Sequence, residues 1–322
     1  MDEQFAQKLF DECPVRFKRA EKNKFLLLVR GKFHELGYES NQIRTLKQGS
    51  SRNFVVGKPD AKYVFTAHYD TPGRTGFLLF SAPLFGQTGG NLVYIVLMVL
   101  LFFLAEMGGI KLMDYISDIY TQGPASIILP LLACIFPILI GLAVLFIPIF
   151  VKNKNNRNDN TSGVLGVLAL AEIIAKDKVM KENSCFVLFD NEEWGLIGSA
   201  KYSAWLKNNG CDISRATVIN LDCVGVGDRL AVVSTSRRNK LAKYLKNALT
   251  EKGEKVSRKT SIMIYMSDHA SLRGAVMIAR VRRAAFGPLY IPNIHTRKDK
   301  ECDLQAVEKL AADLYDITSS IE

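Results

Sequence analysis

Two stretches of this chain carry no charged residue, Thr75–Ala105 and Ile119–Val151. Within the first, Leu92–Ala105 is almost purely aliphatic and aromatic and continues to Ile110 past a lone Glu106; within the second, Ala125–Val151 is 27 residues without a charge. A bilayer core takes about 20 mostly apolar residues per helix, so both stretches are long enough to cross one. The soluble alternative is a pair of buried core helices, but these keep a polar stripe and rarely run so far. Pro130, Pro137 and Pro148 would break a helix in water and are tolerated as kinks in lipid; a re-entrant pair around them is the other reading of the second stretch. Phe77–Phe85, with Pro83, reads as an interfacial lead-in. The pattern predicts a transmembrane hairpin over residues 75–151, inserted between a first part, 1–74, and a second, 152–322.

The flanks of this hairpin carry Arg74, Lys152, Lys154 and Arg157, whereas the short connection between its helices carries Lys111 alone, with Asp114 and Asp118. Positive flanks stay inside, which predicts a two-span protein of the cell (inner) membrane with both parts in the cytoplasm. The six cysteines form no CxxC pair, so reduced thiols are expected and a thiolate zinc site is not. The first residues lack an apolar h-region, so no cleaved signal is expected. Forty-two Lys and Arg against 32 Asp and Glu give a net charge of +10. That charge is spread along the chain without an interleaved aromatic patch, which excludes a nucleic-acid role.

Outside the hairpin the pattern alternates. Lys24–Gly37, Thr161–Ala175, Gly195–Leu206, Lys240–Lys252 and Ala306–Ile317 have helical spacing. Arg52–Val56, Tyr63–Ala67, Ser184–Phe189, Ala216–Leu221, Asp228–Val233 and Val276–Ala279 read as strands. Such alternation implies an α/β fold with a mostly parallel or mixed central sheet and helices on both faces.

In these sheets the ligand site lies beyond the carboxyl ends of the strands. Tyr63–Ala67 runs into His68-Tyr-Asp70, Ser184–Phe189 into Asp190-Asn-Glu192-Glu193, and Ala216–Leu221 into Asp222; the segment before Ile294 leads to His295 and Asp299, and Asp159 stands just ahead of the Thr161 helix. Each has an ordinary alternative: a satisfied core histidine for His68, an N-cap for Asp159, solvated acids at a helix start for Glu192-Glu193, a turn at Asp222, exposed surface at His295. Two of only four histidines nevertheless fall at strand ends among carboxylates, a donor set suited to zinc and related divalent ions.

The ordered blocks His68-Tyr-Asp70, Asn158-Asp-Asn-Thr-Ser-Gly163, Glu192-Glu-Trp-Gly-Leu-Ile-Gly-Ser199, Asn220-Leu-Asp-Cys-Val-Gly225 and His295-Thr-Arg-Lys-Asp299 resemble the M28 metallopeptidases, the co-catalytic zinc aminopeptidase group; Ser267–Gly274 is similar to a further block. The resemblance implies two zinc ions, with cobalt or manganese able to occupy similar ligands. It implies that Asp159 bridges them, that His68 and Asp222 complete one site and Glu193 and His295 the other, and that Glu192 is the general base. Asp70 and Asp299 are placed to orient His68 and His295 through the ring nitrogen not on metal, and Asn160 and Ser162 to support the loop. The chemistry agrees: two ions lower the pKa of a shared water, while one of two adjacent glutamates stays free to move its proton.

One departure is that 88 residues (71–158), including the hairpin, separate Asp70 from Asp159, which places the catalytic mouth near the inner membrane surface. Lys298 and Lys300 could favour acidic substrates or face solvent, and the cluster Arg280, Arg282 and Arg283 could meet lipid phosphates, a substrate carboxylate or nothing specific. The expectation is a membrane-anchored dinuclear zinc exopeptidase that removes N-terminal residues from peptides, hydrophobic or membrane-associated ones among them, as a monomer or homo-oligomer. The alternatives are a carboxypeptidase, an amide hydrolase or glutaminyl cyclase on the same scaffold, and a membrane adaptor without turnover.

Overall fold

Strands that are apolar at most positions must be covered on both faces, and the three that the sequence marks most strongly are. In the computed structural model, which describes residues 2–76, 80–119, 123–260 and 266–321, β3 (Tyr63–His68), β4 (Ser184–Phe189) and β5 (Thr217–Leu221) are buried throughout and run parallel in the order β4-β3-β5. Outward on one side lie β2 (Ser51–Gly57) and β1 (Ile43–Gln48), both antiparallel to their inner neighbours. On the other side come β8 (Val276–Arg283), β6 (Arg229–Ser234) and β7 (Val256–Thr260), with a two-residue β9 (Leu289–Tyr290) paired to β8. The sheet is mixed, because β6 runs antiparallel to β8.

Alternate side chains leave a strand on opposite faces. Phe54, Phe65, Phe186, Leu188 and Ile219 meet α1 (Glu3–Glu12), α2 (Arg19–Glu35), α5 (Gly163–Ile174), α8 (Lys240–Glu251) and α9 (Leu304–Ser319). Their neighbours Val55, Val64, Val187, Phe189 and Val218 pack on the other face against Tyr202 and Leu206 of α7 (Ile197–Asn208). A short α6 (Lys178–Glu182) leads into β4. The predicted α/β sandwich is present. The differences fall where the apolar signal is weak: β1 (IRTLKQ) and β7 (VSRKT) are polar strands at the two edges of the sheet, and α1 was not expected. The strand expected before His295 is only the two residues of β9, followed by turns.

The insert forms two long helices, α3 (Ala82–Ile119) and α4 (Ala125–Phe150), which pack on each other where Gly109 meets the backbone of Ala133. Helix α4 continues through its prolines, so no re-entrant pair forms. Both helices are long and apolar enough to cross a membrane, with peak mean hydropathies of 2.4 and 2.8, and only 6% of each apolar window is buried. They therefore lie outside the core of the sheet, with Phe103, Phe136 and Phe146 among the exposed side chains. Of the lead-in, residues 77–79 lie outside the described ones; Phe80, Leu84 and Phe85 are exposed.

The chain leaves and re-enters the α/β domain at one clasp. Gly73 bridges Lys152, the Arg74 amide donates to the carbonyls of Pro148 and Val151, and the Asn153 amide donates to that of Pro72. A second clasp joins the start of α3 to the β8–β9 turn, where the amides of Ala285 and Phe286 donate to the carbonyls of Pro83 and Leu84. Gly86 makes this approach possible. It interrupts α3 at φ +76, and a Cβ there would stand 2.4 Å from Pro288 Cβ. Gly86→Val should therefore unseat the start of α3 and destabilise the protein by roughly 2–4 kcal/mol, read as a lowered thermal midpoint in detergent. An unchanged midpoint would mean that the turn does not hold the hairpin.

Candidate metal centre

Parallel pairing of β3 with β4 and β5 brings three carboxyl ends to one edge: His68 is in register with Phe189, and Thr66 with Asn220. His68 is thus the last residue of β3, Glu192 and Glu193 follow the end of β4, and Asp222 follows β5. A fourth segment, Arg157–Ser162, brings in Asp159 ahead of α5. Its neighbours pin it to the exit of β5. Asn158 Oδ1 accepts the Gly225 amide, Asn160 Oδ1 accepts those of Cys223 and Gly163, and Ser162 Oγ accepts that of Val224. Gly163 lets α5 come this close, since a Cβ there would lie 2.3 Å from the Leu221 carbonyl oxygen. Asn160 and Ser162 thus support the loop, as expected.

The two oxygens of Asp159 face different partners. Oδ1 is 3.4 Å from His68 Nε2, which is also 3.7 Å from Asp222 Oδ1. Oδ2 is 3.0 Å from His295 Nε2, which is also 3.3 Å from Glu193 Oε2. Glu192 stands back, with Oε2 4.0 Å from His68 Nε2. Asp159 Oδ2 and Glu193 Oε1 are buried and receive no hydrogen bond among the described residues. Buried acceptors crowded without a donor are costly unless a proton or cation sits among them, so these residues fit a metal. Groups of His68, Asp159 and Glu193, and of His68, Glu192 and Asp222, each bring ligand atoms within 4.8 Å of one another.

Charge tells the same story. Burial raises the pKa of Glu192 and Glu193 well above the usual range, and neighbouring carboxylates add to it. Burial alone would lower His68, but the surrounding carboxylates raise it well above the ordinary value, Glu192 foremost. Asp159 is held low: burial opposes ionisation, and its two histidines outweigh it. The cations behind the site do not fill it. Fully buried Arg16, drawn down to about 10 by desolvation, donates to the carbonyls of Tyr69 and Cys13, and Lys22 is paired with Asp190 at 2.5 Å.

Asp70 Oδ1 lies 3.6 Å from His68 Nδ1, and its two oxygens accept the amides of Glu192 and Glu193. It holds the histidine and the glutamate pair in one frame but does not line the cavity. Asp299 differs from expectation. Its oxygens accept the amides of Asn158 and Asp159, at 2.8 and 3.0 Å, and the partner of His295 Nδ1 is the Thr75 hydroxyl at 3.0 Å. The reason is local: His295 has φ +57, which turns its ring away from the direction that four-residue spacing suggests.

Two further residues escaped the sequence reading. Gln87 of α3 lines the cavity of about 300 Å³ around the metal-ligand candidates and accepts the Ile291 amide at 3.4 Å. Asp268 is fully buried behind Glu192, neither oxygen accepts a hydrogen bond among the described residues, and burial pushes it up to about 7. A lone amide beside a glycine in an apolar run was the signal for the first. The Ser267–Gly274 block was the signal for the second.

Asp299→Ala should leave two buried amides without an acceptor, cost roughly 2–5 kcal/mol, and lower the metal retained per chain on elemental analysis. A pH dependence follows as well. Glu192, Glu193, Asp268 (about 7) and Asp299 (about 8) have folded pKa values above the unfolded ones, as has His68. The native state then binds more protons, and chelator-treated protein should lose stability as pH rises between about 5 and 8. Thermal midpoints with and without divalent cation test this, and a flat chelated profile would contradict it.

No curated protein sequence matches the chain. Solved structures do. The Legionella pneumophila LapA aminopeptidase superposes with a TM-score of 0.61 at 16% identity, over 99% of this chain and 71% of that one. A Porphyromonas gingivalis glutaminyl cyclase gives 0.58 at 15% identity, over 98% and 96%; Legionella pneumophila LapB gives 0.58 at 12%, over 98% and 70%. At such identities the likeness concerns the fold. The sequence profile of peptidase family M28 matches residues 151–313, half of the chain, from just before the Asp159 loop to the last helix. By this match the chain belongs to peptidase family M28.

Proposed function

We propose that the protein is a membrane-anchored dinuclear zinc aminopeptidase. The division of the Asp159 carboxylate between two histidine–carboxylate pairs carries this reading. His68, Asp222 and Asp159 Oδ1 would hold one ion, and Glu193, His295 and Asp159 Oδ2 the other. Bound there, the ions supply an acidified water and polarise the scissile carbonyl. Glu192, which stands farther from a histidine than Glu193 does, 4.0 Å against 3.3 Å, takes the proton of the attacking water and returns it to the leaving amine. Burial and the neighbouring carboxylates raise Glu192 above the usual carboxylate range, the direction that suits a group accepting a proton from water. Asp70 positions both glutamates through their amides.

The cavity is small and lined by Gln87, Met277, Ile291 and Ile294 on its far wall, which supports the reading of one chain end rather than the middle of a polypeptide. Its buried carboxylates favour an ammonium over a second carboxylate, hence the amino end. The exposed apolar faces of α3 and α4 support a hairpin spanning the membrane, and the basic flanks support cytoplasmic placement of residues 1–74 and 152–322. Peptides that partition into the membrane are the substrates this arrangement would serve. The fold is shared with glutaminyl cyclases, so cyclisation of an N-terminal glutamine is the second reading. It consumes no water and has no need of two histidine–carboxylate pairs.

Matched peptides with free, acetylated and glutaminyl N-termini separate these readings. Zinc-loaded protein should cleave only peptides with a free amino end, and Glu192→Gln should lower kcat by about 10²–10⁴-fold with metal content unchanged. Cleavage of the acetylated peptide would indicate a carboxypeptidase or amidase, and pyroglutamate formation a cyclase. Membranes washed with alkaline carbonate should retain the protein; its release would refute the spanning hairpin.

A further inference from the structure

A second cavity, of about 510 Å³, adjoins the metal centre at His295, which lines both, as do Ile291 and Ile294. Its charged lining is Arg74, Arg282, Arg297 and Lys298, with no carboxylate, and Phe80 and Pro83 belong to its apolar wall. None of the four cationic side chains has an ion-pair or hydrogen-bond partner among the described residues. The neighbouring Arg280 behaves differently. It is buried and faces Glu254 at 3.4 Å, so it serves the fold.

The position of this cavity is set by the hairpin. Arg74 is fastened to the end of α4, and Phe80 and Pro83 lead into α3, so the cavity opens at the level where both long helices leave the α/β domain. At the same level the β8–β9 turn, tied to Pro83 and Leu84, presents Phe286, 70% exposed and stacked on Phe85 at 5.3 Å. Exposed aromatic side chains beside four cations without an ion-pair partner among the described residues suit the boundary between headgroups and acyl chains, where anionic lipids attract basic residues.

We propose that this cavity binds the headgroup of an anionic phospholipid, its phosphate met by Arg74, Arg282, Arg297 and Lys298 and its glycerol backbone by the apolar wall. The proposal rests on the hairpin being membrane-spanning. It has a consequence for the metal centre: residues 293–298 carry His295 together with Arg297 and Lys298, and Asn293 and His295 both hold φ +57. A headgroup bound to the two cations braces the loop that presents His295.

The test uses the full chain, first shown to stay in carbonate-washed membranes, then reconstituted into nanodiscs of phosphatidylcholine with or without phosphatidylglycerol. Lipid retained on release into detergent is counted by native mass spectrometry for the wild type, Arg282→Gln, and the combination of Arg74→Gln, Arg282→Gln and Lys298→Gln. All three positions are exposed or half-buried, and the single variant guards against a folding defect in the triple. The wild type should retain phosphatidylglycerol over phosphatidylcholine, and the preference should fall roughly fivefold for each cation removed. Equal retention of the two lipids, or an unchanged preference in both variants, overturns the lipid site while leaving the anchor standing; release by carbonate overturns both. Displacement of the retained lipid by millimolar inorganic phosphate would make the cavity a free-anion site. Unchanged lipid retention with a raised KM for acidic peptides would make it a substrate subsite. Either of these results also overturns the proposal.

Discussion

The site depends on one carboxylate serving two sides. Asp159 Oδ1 faces His68 and Oδ2 faces His295, so any displacement of this side chain disturbs both groups of donors at once. The surroundings are arranged to prevent it. Asp299 takes the Asn158 and Asp159 amides, Asn158, Asn160 and Ser162 reach across to the exit of β5, and Gly163 lets α5 press against Leu221. A buried group of so many carboxylates is stable only with protons or cations among the oxygens. The positive side chains available in the protein, Arg16 and Lys22, are engaged one layer behind.

The hairpin is joined to this machinery at several points. Thr75, at the outgoing end of the clasp, bonds His295 Nδ1; Gln87, one residue past the break in α3, forms part of the cavity wall; and Phe150, at the end of α4, meets Trp194 at 5.7 Å, next to Glu193. Both feet of the insert therefore touch loops that carry metal-ligand candidates. Tilting of the two long helices would be felt at Glu193 and His295 before it reached the sheet, where β3, β4 and β5 are held by continuous parallel ladders.

What could be read from the sequence follows from where the apolar signal was strong. β3, β4 and β5 are buried on both faces, so their largely apolar runs marked them and fixed the positions of His68, Glu192, Glu193 and Asp222 at their ends. The polar edge strands β1 and β7 gave no such signal, because an edge strand faces solvent and can carry Arg, Lys and Gln. The Asp299 expectation failed for a backbone reason. Spacing says how many residues separate two side chains, but it does not reveal a left-handed residue that redirects one of them, as at His295. Thr75 and Gln87 are chemically ordinary, and only the clasp that closes the insert gives them a place at the site.

These features also set a direction across the molecule. On one side of His295 lie the buried carboxylates, which favour an ammonium; on the other lie Arg74, Arg282, Arg297 and Lys298 with no acid among them. The change of sign occurs within one loop, at the level where α3 and α4 leave the domain. On the aminopeptidase reading, a peptide lying in the headgroup layer approaches with its positive end drawn toward the carboxylates, while its acidic groups and the lipid phosphates are held at the rim. Because field lines concentrate where a small cavity has low-dielectric walls, the apolar wall of Met277, Ile291 and Ile294 strengthens that orientation. On the same reading, the apolar residues that shape the cavity help to select which end of the peptide enters it.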